Sequence, residues 1–312
     1  MQRKLSIVTP VFNEGPQIAR FLEELTAVVR QLPYEIEIIA VNDGSTDNTP
    51  AILDELCGVY PELGVIHFSR NFGHQAALTA GLDGATGDAV IMMDSDLEHP
   101  PSLIPQLVAR WEEGFDVVYG VRKRKRELSL FKRVTSRLFY KLMNTIAETP
   151  IPENAADFRL MSRAAADEMR GLRERARFLR GLSSWIGFRQ IGVEYEPVVR
   201  RVGESKYTFR RMLNLGADGI LSMSTVPLRV GLVVGFAISL LSLLYMVYII
   251  VTWFVDNHTV LGWSSLIVSI LFLGGLQLMV LGLIGIYVAN IYAEVKRRPL
   301  YIVRSKQGRI AN

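Results

Sequence analysis

From Leu5 onward the chain repeats one pattern: a short apolar run, a turn-forming cluster, then apolar residues at helical spacing. Residues 5–11 read as a strand that stops at Pro10-Val11-Phe12-Asn13-Glu14, and Pro16 is well placed to open a helix carrying Ile18, Phe21, Leu22, Leu25, Val28 and Val29. Residues 35–41 predict a second strand. It ends in Asn42-Asp43-Gly44-Ser45-Thr46-Asp47, a segment that can turn, cap a helix over 49–60 and leave a carboxylate at a strand end. A strand over 65–68 and a helix over 76–82 follow, separated by Arg70-Asn71-Phe72-Gly73-His74. Val90-Ile91-Met92-Met93 is four apolar residues in a row, as in a parallel strand buried on both faces. A helix from 101 to about 111 and a strand over 116–119 close the series. Strands alternating with helices of this length predict an α/β doubly wound, mostly parallel sheet.

Past Arg122 the pattern changes. Residues 129–147 read as a basic helix with Leu130, Val134, Leu138, Leu142 and Ile146 on one face. Asp157-Phe158-Arg159, a helix from Arg163, Phe178-Leu179-Arg180-Gly181, Trp185 and a strand around 191–199 follow, ending in Arg200-Arg201. Over 207–225, Phe209, Met212, Leu213, Gly216, Ile220 and Leu221 share a face, with Arg210, Arg211, Asn214 and Asp218 off it. That profile suits a helix lying in a membrane interface, and equally a core-facing one. No charged residue occurs between Arg229 and Asp256, nor between Asp256 and Glu294. A spanning helix needs about 20 apolar residues, so these stretches predict two transmembrane helices, at about 229–255 and 261–293, joined as a hairpin. The resulting domains are 1–206, an interfacial helix 207–225, the hairpin within 226–293, and a basic tail 294–312. The connecting loop has no Lys or Arg, whereas both flanks are basic, which by the positive-inside rule puts both termini and the large domain in the cytoplasm, on the inner membrane.

Composition refines this picture in three places. The chain has 312 residues and is 49% hydrophobic, but the apolar excess sits after Arg229. A single cysteine, Cys57, rules out an internal disulfide and fits a reducing compartment. Net charge is only +4, yet Arg122, Lys123, Arg124, Lys125, Arg126, Lys132, Arg133, Arg137 and Lys141 stand against Glu127 alone. No nucleic-acid partner is expected. No Gly-x-Gly-x-x-Gly follows the first strand and no Walker loop occurs, so neither a dinucleotide fold nor a P-loop is supported. The N-terminus shows no signal peptide.

The chemistry gathers at Asp94-Ser95-Asp96, directly after the most apolar strand. In open α/β sheets ligands bind outside the carboxyl ends of the strands, and one or two carboxylates there can hold Mg²⁺ alongside substrate phosphates. Taken with Thr9-Pro10-Val11-Phe12-Asn13-Glu14, Asn42-Asp43-Gly44-Ser45-Thr46-Asp47 and Arg70-Asn71-Phe72-Gly73, in this order, the motif resembles the inverting, GT-A-fold glycosyltransferases of family 2. The two C-terminal spans narrow the resemblance to the polyisoprenyl-phosphate glycosyltransferases, above all those that glucosylate bactoprenol in O-antigen modification, with dolichol-phosphate mannose synthase more distant.

The resemblance implies roles for particular residues. Pro10, Asn13, Glu14, Asp43, Ser45, Arg70, Asn71, Asp94 and Ser95 would surround a nucleotide sugar. Asp94 and Asp96 would ligate Mg²⁺ or Mn²⁺, Asp96 acting in catalysis. Asp157 matches the position usually assigned as catalytic base, although a phosphate monoester with a second pKa of about 6 hardly needs deprotonating, so a positioning role also suits it. Arg201, Ser205 and Lys206 would bind phosphate oxygens. Of the run 122–126, most would meet an anionic leaflet and Arg122 would touch substrate. His74 stands where relatives carry Lys, and His99, beside the motif, is not expected to be a ligand, since oxygen donors suit Mg²⁺. Trp185 lacks the Gln-x-x-Arg-Trp setting of processive synthases, implying one sugar per acceptor. The expected reaction moves a hexose from UDP-glucose to undecaprenyl phosphate, with GDP-mannose, a modified UDP-sugar or a non-polyprenyl acceptor as alternatives. The family also implies homo-oligomers, often tetramers.

Overall fold

The computed structural model describes residues 2–123, 155–175, 177–196, 226–256 and 262–310. Two compact units result. One holds the sheet and takes the chain in again from Arg298; the other holds two long helices.

In the first unit the expected alternation holds: β1 (Lys4–Val11), α1 (Gly15–Val29), β2 (Glu35–Asn42), α2 (Thr49–Val59), β3 (Leu63–Phe68), α3 (His74–Gly84), β4 (Ala89–Met92), a 3₁₀ turn at Pro101–Leu103 running into α4 (Ile104–Glu112), and β5 (Val117–Arg122). Then come β6 (Ala155–Ser162), α5 (Arg163–Gly171), α6 (Leu179–Trp185) and β7 (Gln190–Tyr195). The sheet order is β7-β5-β6-β4-β1-β2-β3-β8, where β8 is Val303–Gly308. β1 pairs in parallel with β2 and β4, so the chain leaves β1 to one side and returns to the other, which makes their carboxyl ends the topological switch point.

Both faces of the sheet are covered, which is why the strands read as continuous apolar runs. Leu5 and Ile7 pack with Ile18, Phe21 and Leu22 of α1 and Leu107 of α4 in the main core. On the other face Val8 abuts α3 at Gly81, where a Cβ would sit 2.1 Å from Val8 Cγ1. Glu37 is buried on β2 and accepts hydrogen bonds from Lys4 Nζ, Ser6 Oγ and both the amide and hydroxyl of Thr86, joining β1, β2 and the turn before β4. Cys57 is half-buried, and burial, with Asp54 nearby, pushes its thiol up to about 11, so it stays protonated and inert at neutral pH.

Two features depart from the expectation. β6 runs antiparallel to both its neighbours, with Met92 opposite Arg159 and Val118 opposite Leu160. And the segment expected as a basic tail over 294–312 is not a tail. α8 (Trp263–Val295) runs into it, and β8 then pairs antiparallel with β3, closing the sheet edge. Tyr301 stacks on Phe68 at 5.1 Å and donates its hydroxyl to Asp83, and Asp83 also accepts two hydrogen bonds from Arg173. Arg304, Ser305 and Lys306 all stay exposed while the backbone pairs, so high charge does not prevent pairing at an edge.

In the second unit α7 (Val226–Asp256) and α8 are continuous helices that touch near Gly231 and Val280. Among the described residues one stretch, Phe272–Val295, 24 residues of mean hydropathy 2.0, is long and apolar enough to cross a membrane. The basic helix expected over 129–147 and the interfacial helix over 207–225 lie outside the described residues, as does the end of the strand expected to reach 199.

Candidate active site

The carboxyl ends of β1, β2 and β4 bring the first three motifs together. Asn13, in the left-handed region at φ 55°, donates its backbone N–H to Ser45 Oγ and accepts from Thr46 N–H with its side chain, and the Glu14 N–H donates to Thr49 Oγ1. Asp43 accepts the N–H groups of Phe72 and Gly73 at 2.7 and 3.0 Å, so it holds the 70–73 loop at the mouth of α3. Gly44, at φ +67°, presses against that loop, where a Cβ would stand 2.3 Å from the Arg70 carbonyl carbon. Arg70 lies over the Phe72 ring at 4.2 Å, and Phe72 meets Phe68 edge-on. Ser95 donates to the Pro10 carbonyl, tying the β4 loop to the β1 loop. Thus the loops that carry Pro10, Asn13, Glu14, Asp43, Ser45, Arg70, Asn71, Asp94 and Ser95 meet at the carboxyl ends of β1, β2 and β4, tied together by the hydrogen bonds of Asn13, Asp43 and Ser95.

Antiparallel pairing then decides who faces Asp94. Because β6 runs backwards beside β4, its first residues lie level with the end of β4, and Asp157 comes next to Asp94. His74 Nε2 stands 3.5 Å from Asp94 Oδ1 and 3.8 Å from Asp157 Oδ2. Burial pushes Asp94 up to about 6, with Asp157 and Asp96 adding to the shift and His74 and Arg180 opposing it. Asp157 behaves oppositely. Against the cost of burial, Arg180 donates Nε–H and Nη2–H to its two oxygens at 2.8 and 2.9 Å, and with Arg159 and His74 holds it well below the usual carboxylate range. A carboxylate so held is a weak proton acceptor.

Three residues without a role in the sequence reading complete the site. His99 is fully buried, stacks on Phe158 at 5.2 Å and accepts the Asp94 N–H at Nδ1. Burial and the neighbouring Arg122 pull it down to about 4, so it is neutral at pH 7 and holds the backbone of Asp94 in place. Tyr195, on β7 opposite Arg122, accepts a hydrogen bond from Arg122 Nε–H, and Glu98 stands 3.3 Å from the same guanidinium. Arg180 is set by α6. That helix is held independently of it, since the buried Arg159 donates to the Leu179 carbonyl and to Ser183, and the Leu179 N–H donates to Gln75. Only their positions relative to Asp94 distinguish these residues, and no local pattern announces them. Asp96 accepts the Glu98 N–H. Arg201, Ser205 and Lys206 lie outside the described residues.

The donors suit a hard divalent cation. Asp94 Oδ1 is buried and has no hydrogen-bond partner among the described residues, and Asp96 follows one residue on. Among the described residues no three acidic, His or Cys side chains close a cage, so an ion here would take its remaining ligands from substrate and water.

A glycosyl transferase family 2 model matches residues 6–170, which runs from within β1 through β6 and takes in the motifs after β1, β2, β3 and β4. The chain belongs to glycosyl transferase family 2. The GT-A type mixed α/β sheet is that of the family, and this glycosyltransferase is an enzyme. It is 43% identical over 301 residues to the SfII prophage-derived bactoprenol glucosyl transferase of Shigella flexneri, covering 96% of this chain and 97% of that one. It is likewise 43% identical over 303 residues to the uncharacterized glycosyltransferase YkcC of Bacillus subtilis, covering 97% and 94%. Among solved structures, a Pyrobaculum calidifontis mannosyltransferase in complex with GDP-Man and Mn²⁺ overlaps 71% of this chain and 63% of its own, at TM-score 0.47 and 19% identity, a likeness too slight to build on.

Proposed function

We propose that this glycosyltransferase transfers one hexose from a nucleotide diphosphate sugar, UDP-glucose first among candidates, to undecaprenyl phosphate at the cytoplasmic face of the membrane. The observation that carries the reading is the paired Asp94 and Asp96 at the switch point, with the buried Asp94 Oδ1 lacking a hydrogen-bond partner among the described residues while Arg180, His74 and, beyond His99, Arg122 stand around it. The bactoprenol glucosyl transferases among the relatives support the lipid acceptor. Two long helices with outward-facing Phe236, Leu241, Phe272 and Leu278 support anchoring as a two-helix hairpin with both termini cytoplasmic, and the basic flanks favour that orientation. Assembly as a homo-oligomer, in the manner of a tetramer, belongs to the same proposal.

Asp94 and Asp96 would hold Mg²⁺ or Mn²⁺, which supplies charge stabilisation to a departing diphosphate. The loops after β1 and β2 orient the nucleotide, and Asp43 keeps the Arg70 loop in place to receive it. An acceptor phosphate oxygen attacks the anomeric carbon in line with the departing diphosphate, inverting the centre. The dianionic acceptor brings its own electron pair, so no proton has to be removed before attack.

The test is transfer of radiolabelled sugar into an organic-extractable lipid by purified protein, with undecaprenyl phosphate and Mg²⁺ or Mn²⁺, in parallel from UDP-glucose, UDP-galactose, UDP-N-acetylglucosamine and GDP-mannose. Label from UDP-glucose alone, lost with EDTA, is the expected result. Label from GDP-mannose alone replaces the donor assignment, and no label in lipid from any donor overturns the acceptor assignment.

A further inference from the structure

We propose that His67, a buried histidine of β3 outside the carboxylate cluster, is a positioning residue for the nucleotide, acting through Asn42 on the loop that carries Ser45. The inference rests on the nucleotide-sugar donor argued above and adds the group that sets the loop receiving it.

Placement comes first. The core-facing side chains of β2 and β3 are apolar until the strands end: Ile38 and Ala40 lead to Asn42, and Leu63 and Val65 lead to His67. Asn42 and His67 are register partners, and both are buried. Two polar groups therefore close the core face side by side, where the nucleotide loop begins.

Hydrogen bonding then fixes the role of each atom. The Ser45 N–H can only donate, and it meets Asn42 Oδ1 at 2.9 Å, so the other end of that amide, Nδ2, is a donor. Nδ2 lies 2.9 Å from His67 Nδ1, which must offer its lone pair. The ring proton sits on Nε2 and is donated to Asp54 Oδ1 of α2, also at 2.9 Å. Beyond Ser45 the line continues, because Ser45 Oγ accepts the Asn13 N–H and the Asn13 side chain accepts the Thr46 N–H. One chain of contacts thus runs from α2 through β3 and β2 into the loops after β2 and β1. Without the His67 lone pair, the buried Asn42 amide loses this acceptor and can turn toward another only by releasing Ser45. A histidine that merely stitched α2 to the sheet would need Nε2 alone. The two roles use different ring nitrogens, and so they can be separated.

The experiment compares wild type, His67→Asn, His67→Gln and Asn42→Leu in the full chain. It reads KM for UDP-glucose and for undecaprenyl phosphate, and separately the Kd of UDP with Mn²⁺ by calorimetry. His67→Asn places an amide oxygen near the position of Nδ1 and gives up Asp54; His67→Gln places an amide nitrogen near Nε2 and gives up the acceptor for Asn42. Each loses one of the two contacts, so thermal unfolding should shift by similar amounts. Nucleotide affinity should not. His67→Gln and Asn42→Leu should raise the donor KM and the UDP Kd about 3- to 10-fold, the worth of one hydrogen bond, with acceptor KM and kcat little changed. His67→Asn should restore most of that affinity. Equal losses in His67→Asn and His67→Gln, or wild-type UDP affinity in Asn42→Leu, overturn the inference. A wild type that binds UDP yet transfers nothing to undecaprenyl phosphate overturns the acceptor assignment alone, since the UDP affinities still decide the role of His67. A wild type that binds neither UDP nor GDP overturns the nucleotide donor and this inference together.

Discussion

Replacing His99 tests how far the metal motif depends on a residue that carries no ligand role. The ring is fully buried between Phe158 at 5.2 Å and Tyr195 at 6.2 Å, and its Nδ1 accepts the Asp94 N–H at 3.1 Å. His99→Phe keeps most of the volume and the stack and removes the acceptor. It leaves a buried N–H orphaned at a cost of about 1–3 kcal/mol, which in a domain of this size lowers Tm by about 2–12 °C. His99→Ala adds a cavity, raising the cost to about 3–5 kcal/mol. Because Asp94 is aimed by this contact, the half-saturating Mn²⁺ concentration for transfer should rise about 10- to 100-fold in His99→Phe, as for other residues behind a metal ligand. A pH signature separates packing from protonation. His99 is pulled down to about 4 in the fold, so between there and the ordinary value of about 6.5 the unfolded chain binds the extra proton and stability rises with pH. Wild type should therefore lose stability as pH falls through that window, and His99→Phe should lose less. The assays are thermal unfolding in detergent from pH 4.5 to 7.5 and Mn²⁺ titration of transfer. A His99→Phe protein with wild-type Mn²⁺ dependence and wild-type pH slope would refute the reasoning and reduce His99 to a space-filler.

Other residues give equally direct outcomes. Asp94→Asn should abolish the response to Mg²⁺ and Mn²⁺ yet leave Tm in EDTA equal to or above wild type, since it removes a buried charge that Asp96 and Asp157 oppose; a Tm several degrees lower would contradict this. Glu37 is held below its usual range, against burial, by Lys4, Ser6 and Thr86, so its contribution is present above about pH 4.3 and is lost as pH falls through the lower folded value. Glu37→Gln should cost about 2–4 kcal/mol at pH 7 and flatten the acid limb of a stability profile, which chemical denaturation at several pH values would read. Tyr301→Phe should cost about 1 kcal/mol by losing the bond to Asp83. Tyr301→Ala also removes the stack on Phe68, which Phe72 meets edge-on with Arg70 over its own ring, and should raise the donor KM measurably more than Tyr301→Phe does.

How much was legible in the chain follows from the range of the interactions. Periodicity located β1 through β5 and their helices to within a few residues, because a strand buried on both faces and a helix with one buried face each announce themselves locally. The Asp94-Ser95-Asp96 motif was equally readable, since a parallel strand's carboxyl end is also its sequence end. β6 does not read as a strand: Ala155-Ala156-Asp157-Phe158-Arg159 mixes small, charged and aromatic residues, being flanked by β4 and β5 while also placing Asp157 beside Asp94. β8 reads as a tail because Arg304 and Lys306 dominate it and its partner lies more than two hundred residues earlier, on β3.

The sequence alone therefore determined the class of fold, the order of its elements and the acidic motif. All of these depend on contacts within a turn of helix or along one strand. Only the tertiary structure decided that an antiparallel β6 brings Asp157 beside Asp94, that Arg180 and not solvent neutralises it, and that a buried neutral His99 aims the motif. The first of these depends on register between β4 and β6, more than sixty residues apart in the chain, and a shift of one residue there would turn Asp157 to the other face of the sheet. The second depends on how α6 packs beside β6, and the third on how the loop after β4 folds back to bury His99 against Phe158.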